Sequence, residues 1–410
     1  MDSVTFEDCH NEDVKIFLEK QDVTDDTLNL VNKFSKIDIF NHIRVMPDCH
    51  SAAYCLVGFT SVIKDKIVPQ IVGGDMSCGI SCYNTNKVIK EKQYKKIDDM
   101  IKSIIPMGPK IHLKSIQTPE IMQNMYKECN DKLEKLKIKF PDYPFNNFQY
   151  CDNYYQSLIK KLHSKTNSSL FMRALGTLGG GNHYIEFDIN ESGKSYITCH
   201  SGSRIIGQEI CSYHQHKAKE LAKKRNPKEN KHDLLNCYLD GNELVEYLID
   251  AIFADRFASF NRRLMIKQIC EEIGVKYDDE KLIETIHNYI DIDRMILRKG
   301  AISAEAGEKC IISLNMRDGI LLCKGKGNTD WNYSSAHGAG RLMSRSDAKA
   351  SFHMSQFKKE MSEVYSSSIN KDTLDECPMA YKDAEMIKKY IGDSVDIISQ
   401  LKPIINVKGW

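Results

Sequence analysis

What most constrains this chain is where its reactive residues sit. Histidine, aspartate, cysteine and arginine gather in five short stretches, most of them glycine-rich and close to apolar runs that read as strands. Loops at strand ends are where a rigid scaffold presents chemistry. The pattern therefore predicts an α+β fold with a loop-built site rather than a bundle of helices.

Each stretch has its own chemical logic. In Gly73-Gly74-Asp75-Met76-Ser77-Cys78-Gly79 a carboxylate and a thiol stand three residues apart after an apolar run. That spacing can put both on one side of a turn, as a mixed oxygen and sulfur metal site needs; a capping Asp beside a buried Cys would explain it equally well. Gly176-Thr177-Leu178-Gly179-Gly180-Gly181-Asn182-His183-Tyr184-Ile185-Glu186 lets backbone amides approach a phosphate closely, with Asn182 as a donor and His183 as a metal ligand. His200-Ser201-Gly202-Ser203-Arg204 combines a ligand, two hydroxyls and a guanidinium. His287-Asn288 is uninformative alone, since a lone histidine is commonly structural. Ser334-Ser335-Ala336-His337-Gly338-Ala339-Gly340-Arg341 leaves His337 sterically open between small residues. Arg341 and Arg345 are spaced to share one helical face and neutralise phosphate.

Between these stretches the sequence is plainer. Val45 to Cys82 reads as strands and tight turns, including Tyr54–Gly58 and Ile67–Gly74. Lys87 to Ile105, Lys132 to Lys139 and Gly207 to Arg225 read as helices, the last broken by Asn226-Pro227. Leu170 to Phe187 reads as strand and glycine loop, and Glu243 to Ile273 as one long helix or two. Ala301 to Lys324 reads as strands, and Ala384 to Leu401 as a final helix. With no repeat and no low-complexity linker, residues 1–410 are expected to form one domain.

Lys+Arg 57 against Asp+Glu 56 leaves a formal charge of +1, which argues against broad electrostatic coating of nucleic acid but not against a local patch. Lys217 to Lys231 is the best candidate for such a patch. His214 and His216 lie on the same lysine-rich helix and read as a solvated face. The acidic start lacks an apolar signal core, and no apolar run approaches the ~18 residues of a membrane span. The 14 cysteines are then expected as reduced thiols in a cytoplasmic protein. Cys78 and Cys82 have no matching second pair, so a zinc knuckle is excluded.

Taken in order, Met46-Pro47-Asp48-Cys49-His50, Asp75-x-x-Cys78-Gly79, Gly179-x-Gly181-Asn182-His183, His200-Ser201-Gly202-Ser203-Arg204, His287-Asn288, His337-Gly338-Ala339-Gly340-Arg341-x-Met343-Ser344-Arg345 and Val407-Lys408-Gly409 resemble the RtcB family of RNA ligases. The likeness runs from about Val45 to Gly409. It implies an α+β fold with central mixed sheets, surrounding helices and a deep two-metal site served by two Mn²⁺ ions. Cys78 would bridge the metals, with His200 and His287 on one and Asp75 and His183 on the other. His337 would be the nucleophile and Asp48 the carboxylate that orients it. Asn182 would touch nucleotide phosphate, and Arg204, Arg341 and Arg345 would bind oxyanions. Glu186, Tyr381 and Lys408 would surround guanine, with Asn315 in the loop that approaches the nucleotide.

The resemblance further implies that GTP guanylylates His337, and that RNA with a 2′,3′-cyclic phosphate or 3′-phosphate end is joined to a 5′-hydroxyl end. A helper protein is an allowed partner, and a monomer is expected. The sequence departs from the family pattern at Ser51-Ala52-Ala53-Tyr54, at Gly74 and Ser77, across Ser313–Gly319, and at Trp410. Three other readings stay open here: a metal-dependent phosphodiesterase, a 3′-end guanylyltransferase that does not join, and a non-catalytic RNA-end binder.

Overall fold

A strand buried along nearly its whole length must be covered on both faces, and Gly79–Asn84 is such a strand. In the computed structural model, which describes residues 13–52, 55–162, 169–226 and 236–409, it lies inside a seven-stranded sheet. The order across that sheet is Lys309–Asn315, Gly319–Gly325, Val395–Lys408, Tyr184–Ile189, Ser195–Ser201, Gly79–Asn84 and Leu282–Ile286, with every neighbour antiparallel. Alternation along each strand sends Tyr83, Ile185, Ile197 and Cys199 to one face, where they pack with Ile97, Ile101, Met265 and Ile269 of two helices. The opposite face brings Ile80 and Cys82 against Ile311, Ile320 and Leu401, so the sheet curls onto itself.

A second sheet runs Val14–Ile16, Asn41–Ala52, Cys55–Val62, Ile296–Lys299 and Asn288–Asp291. His287 sits between the last strand of each sheet and is the hinge between them. Its amide donates to the Cys78 carbonyl (2.9 Å), which binds the two sheets at the site.

The α+β class is as expected, and several elements refine it. Glu243 to Ile273 is one helix, Gly241–Glu272. Tyr94–Ile104, Pro119–Lys139 and Arg204–Arg225 account for the other three expected helices, the last ending where Asn226 breaks it. Ile67 to Gly74 is not strand and turn throughout: Pro69–Val72 is a short helix, with Pro69 preset for its first turn. Leu170 to Phe187 opens with the helix Ser169–Arg173, and strand begins only at Tyr184. The final helix stops at Ile391, and Val395–Lys408 is a 14-residue strand. Val395, Ile397 and Ile398 favour the pleated surface once Gly392 has ended the helix.

His214 also departs from expectation. It is buried, and Asp250 accepts from its Nε2 (2.6 Å) and from the Tyr154 hydroxyl (3.1 Å), while Lys161 pairs with the same carboxylate. It belongs to the inward stripe of Ile206, Gly207, Ile210, Cys211 and Ala218, which the lysines on the outer face masked; His216 is exposed. Of the basic stretch, Lys217 and Arg225 pair with Glu246 and Asp240, and 227–231 lie outside the described residues, as does Tyr54 of the expected strand. Among the described residues no helix is long and apolar enough to cross a membrane.

Candidate functional site

The turn after Val72 delivers Asp75 and Cys78 to the end of Gly79–Asn84, and the antiparallel register sets Ile80 opposite His200 and His200 opposite Tyr184. His200 thus shares a face with Ile80 and points to the inside of the curled sheet. The backbone there is crowded: a Cβ on Gly202 would stand 2.0 Å from Asp75 Oδ1. Only glycine lets the His200 strand turn away so close to the carboxylate.

Five groups converge as a result. Cys78 Sγ lies 3.3 Å from His183 Nε2 and 3.2 Å from His200 Nε2. His200 Nε2 is 3.0 Å from His287 Nε2, and His183 Nε2 is 3.0 Å from Asp75 Oδ2. They form two triads, Cys78-His200-His287 and Asp75-Cys78-His183, each with its ligand atoms within 4.8 Å, and Cys78 belongs to both. The leading effect of burial holds His200 and His287 well below the ordinary histidine value, so both are the neutral, ligating form. His183 Nδ1–H donates to the Leu178 carbonyl (2.9 Å), fixing the tautomer that leaves Nε2 as a lone pair. Burial and then Asp75 push the Cys78 thiol up; a bound divalent cation would reverse this and give the thiolate. The donor set, with neutral imidazoles, one carboxylate and one shared sulfur, fits a pair of transition-metal ions.

These loops are held from behind by two residues the sequence reading passed over. Asn261 and Arg262 lie mid-way along Gly241–Glu272, both fully buried. Arg262 donates to the Ser77 and Ser201 carbonyls (3.0 and 2.9 Å), to Ser81 Oγ (3.0 Å) and to Glu284 (3.1 Å). Asn261 accepts from the amides of Gly176 and Thr177 and donates to Thr177, Ser201 and Gly202. A polar Asn-Arg pair inside an apolar helix was the available signal.

Across a cavity of about 920 Å³ stands His337, beside His200, His287 and Lys299 in the lining. Its ring centroid is 4.7 Å from that of His287. His337 Nδ1 is 2.5 Å from Asp48 Oδ2, a close contact set off the hydrogen-bond direction. The same oxygen accepts from the His337 and Gly338 amides (3.0 and 3.2 Å). Asp48 is wholly buried; Gly340, at φ +73°, presses on its carbonyl where a Cβ would come within 2.1 Å. Lys382, another residue missed, supports this strand by donating to the Pro47 and Cys49 carbonyls (3.1 and 2.8 Å).

The remaining wall is built of paired charges. Arg341 and Arg345 do not share a helical face. Arg341 is extended and bridged to Tyr381, and the helix Arg345–Ser351 starts only after Ser344 caps it. They meet instead on Glu376, which the sequence reading did not single out. Glu376 Oε1 takes Arg341 (3.2 Å) and Arg345; Oε2 takes Lys408 Nζ (3.0 Å) and the Tyr381 hydroxyl (2.8 Å). Burial works to raise this carboxyl, but Lys408, Arg345 and Arg341 outweigh it and hold it at about 2. Nothing local marks Glu376, because its cationic partners Arg341, Arg345 and Lys408 lie 31 to 35 residues away in sequence.

Asn182 and Glu186 line the same cavity. Glu186 accepts from Asn406 Nδ2 (2.6 Å), and burial, then Asp188, pushes its carboxyl up. Two expected residues stand apart. Arg204, like Asp75, Cys78 and His183, lies outside the cavity lining; it packs on Gly179 and donates to Thr177 Oγ1 and the Gly108 carbonyl (both 3.2 Å). Asn315 reaches the cavity rim, but its side chain is spent on the hairpin turn, bonding Asp318 Oδ2 (2.8 Å) and the amides of Arg317 and Asp318.

A family model described as "tRNA-splicing ligase RtcB" matches residues 29–409. The chain is 29% identical to the RNA-splicing ligase RtcB of Escherichia coli K12, covering 93% of each chain. It is 24% identical to the tRNA-splicing ligase RtcB of Nanoarchaeum equitans, covering 90% of this chain and 89% of that one. It is 25% identical to the RNA-splicing ligase RtcB homolog 1 of Entamoeba dispar, covering 89% and 78%. A match that spans almost every cluster of the site is not a shared fragment: this chain belongs to the RtcB family.

Proposed function

We propose that this chain is a GTP-dependent RNA ligase that joins a 2′,3′-cyclic phosphate or 3′-phosphate end to a 5′-hydroxyl end through a covalent nucleotide on His337, with two Mn²⁺ ions. The observation that carries the reading is the placement of His337: an open histidine, its Nδ1 against buried Asp48, its ring 4.7 Å from a ligand-type histidine. A phosphodiesterase would have no use for that residue. Asp75, Cys78, His183, His200 and His287 would hold the metals, which when bound supply Lewis acidity against phosphate charge.

His337 Nε2 attacks the α-phosphate of GTP; an N–P bond forms, the bond to pyrophosphate breaks, and pyrophosphate leaves. Asp48 holds the His337 and Gly338 amides and lies against Nδ1, so that Nε2 faces the nucleotide and the cation forming on the ring is balanced. Arg341 and Arg345 steady the phosphates. Asn182 contacts phosphate; Glu186, Tyr381 and Lys408 surround guanine, with Asn315 at the rim and Arg204 on the oxyanion side beyond Gly179. Water opens a cyclic phosphate to the 3′-phosphate. That phosphate takes GMP from His337, and the 5′-hydroxyl then attacks it, expelling GMP and losing its proton.

The test is incubation with Mn²⁺ and α-labelled GTP, alongside His337→Ala. Acid-labile label that survives denaturation, on the parent chain alone, supports the reading, and consumption of a 5′-hydroxyl RNA separates joining from end-capping. Absence of label with metal bound would sink it.

A further inference from the structure

Four of the groups assigned above to the nucleotide touch one carboxylate. Arg341, Arg345, Lys408 and Tyr381 come from three separate segments, and Glu376, itself only 3% exposed, meets all of them. Its two oxygens divide the work. Oε1 gathers the two guanidiniums, and Oε2 gathers the Lys408 ammonium and the Tyr381 hydroxyl. Arg341 is further fixed by the Asp375 and Met343 carbonyls and lies over the Tyr381 ring at 5.2 Å. Lys408 also reaches the Asn182 carbonyl.

We propose that Glu376 is a positioning residue, one that presets the guanine side of the site against the phosphate side before any nucleotide arrives. The inference rests on the nucleotide-binding part of the reading above. Three cations left to themselves on one wall would repel and point into solvent. A shared buried carboxylate holds them at fixed separation, and its two oxygens fix the relative placement of the two halves. Asp375 adds a second negative charge, but Lys349 (3.5 Å) balances it. Four cations face two carboxylates, so the wall stays net positive and still attracts an anion.

Attraction and alignment therefore separate on substitution. Glu376→Gln keeps the shape, adds positive balance and breaks the shared anchor. Bare anions should be held at least as well, while a ligand that must engage both halves should be held worse.

The experiment is calorimetric titration of the Mn²⁺-loaded His337→Ala chain with GTP, ATP and inorganic pyrophosphate, with and without Glu376→Gln. Because no covalent step occurs in that background, the result does not depend on whether His337 is ever nucleotidylated; failure of label on the parent chain would count against the ligase reading alone. The expected result is GTP weakened by about tenfold or more, the GTP-over-ATP ratio reduced, and pyrophosphate unchanged or tighter. GTP affinity within about threefold of the parent would overturn the proposal. So would equal weakening of GTP and pyrophosphate with a lowered melting temperature, which is what a merely structural carboxylate gives. Should Glu376→Gln fail to fold, Glu376→Asp keeps the charge but retracts it by one methylene, and the same pattern of losses decides the matter.

Discussion

The two sides of the site solve opposite problems. On the sheet side, Asp75, Cys78, His183, His200 and His287 point lone pairs and a thiol at one another. That set is one a cation would complete. On the loop side, Arg341, Arg345 and Lys408 are already matched by Asp375 and Glu376. That set is complete and merely net positive. The difference teaches where each half takes its shape from: the metal side from strand register and a helix behind it, the arginine wall from its own ion pairs.

The largest expected effect separates the halves outright. Cys78→Ala removes the atom common to both triads and should lower Mn²⁺ affinity on the order of 100-fold or more, since partners one shell further out already cost 10–100-fold. Arg341→Gln should leave Mn²⁺ affinity nearly untouched. A metal titration of both variants checks this, and an equal loss in the two would mean that the site is one unit.

Next comes the support behind the metal side. Arg262→Met removes both the charge and the fork that reaches Ser77, Ser81, Ser201 and Glu284 together, and should cost about 3–5 kcal/mol of stability, the range for breaking one partner out of a buried ion pair. Denaturant unfolding would show it, and a loss below about 1 kcal/mol would show the loops to be self-supporting.

The smallest effect should be shared by both sides. Glu284, under Arg262, Arg263 and Arg256, and Glu376 are each raised by burial and lowered more strongly by their cations, to about 2. A depressed folded value means that the stability is fully present above the ordinary glutamate value of 4.5 and is lost as pH falls toward about 2. Melting temperature should decline over that window, and Glu284→Gln should flatten part of the decline. A profile identical to the parent would remove Glu284 from the account.

How much of this was readable beforehand follows from the range of each interaction. The stretches around Asp75, His183, His200 and His337 announce themselves because glycine, ligand and hydroxyl must be adjacent for the chain to pass close to a ligand. Strand register then brings them together without further sequence cost. Glu376 was invisible because a carboxylate is unremarkable until its distant cations are placed beside it. The end of the chain misled for a different reason. Ala384–Ile391 is amphipathic, and the pattern runs on smoothly past Gly392 into residues that the sheet, not the local sequence, holds extended. His214 misled because the lysines beside it outweighed the inward stripe Ile210, Cys211, His214 and Ala218 to which it belongs.

Arg262 has one more consequence. Two of its four bonds go to the main-chain carbonyls of Ser77 and Ser201, not to their side chains. A clamp that grips peptide oxygens is indifferent to what hangs from the α-carbon, so the loop's path is inherited separately from its lettering. A substitution at position 77 can therefore change the side chain while the peptide oxygen keeps its grip on Arg262.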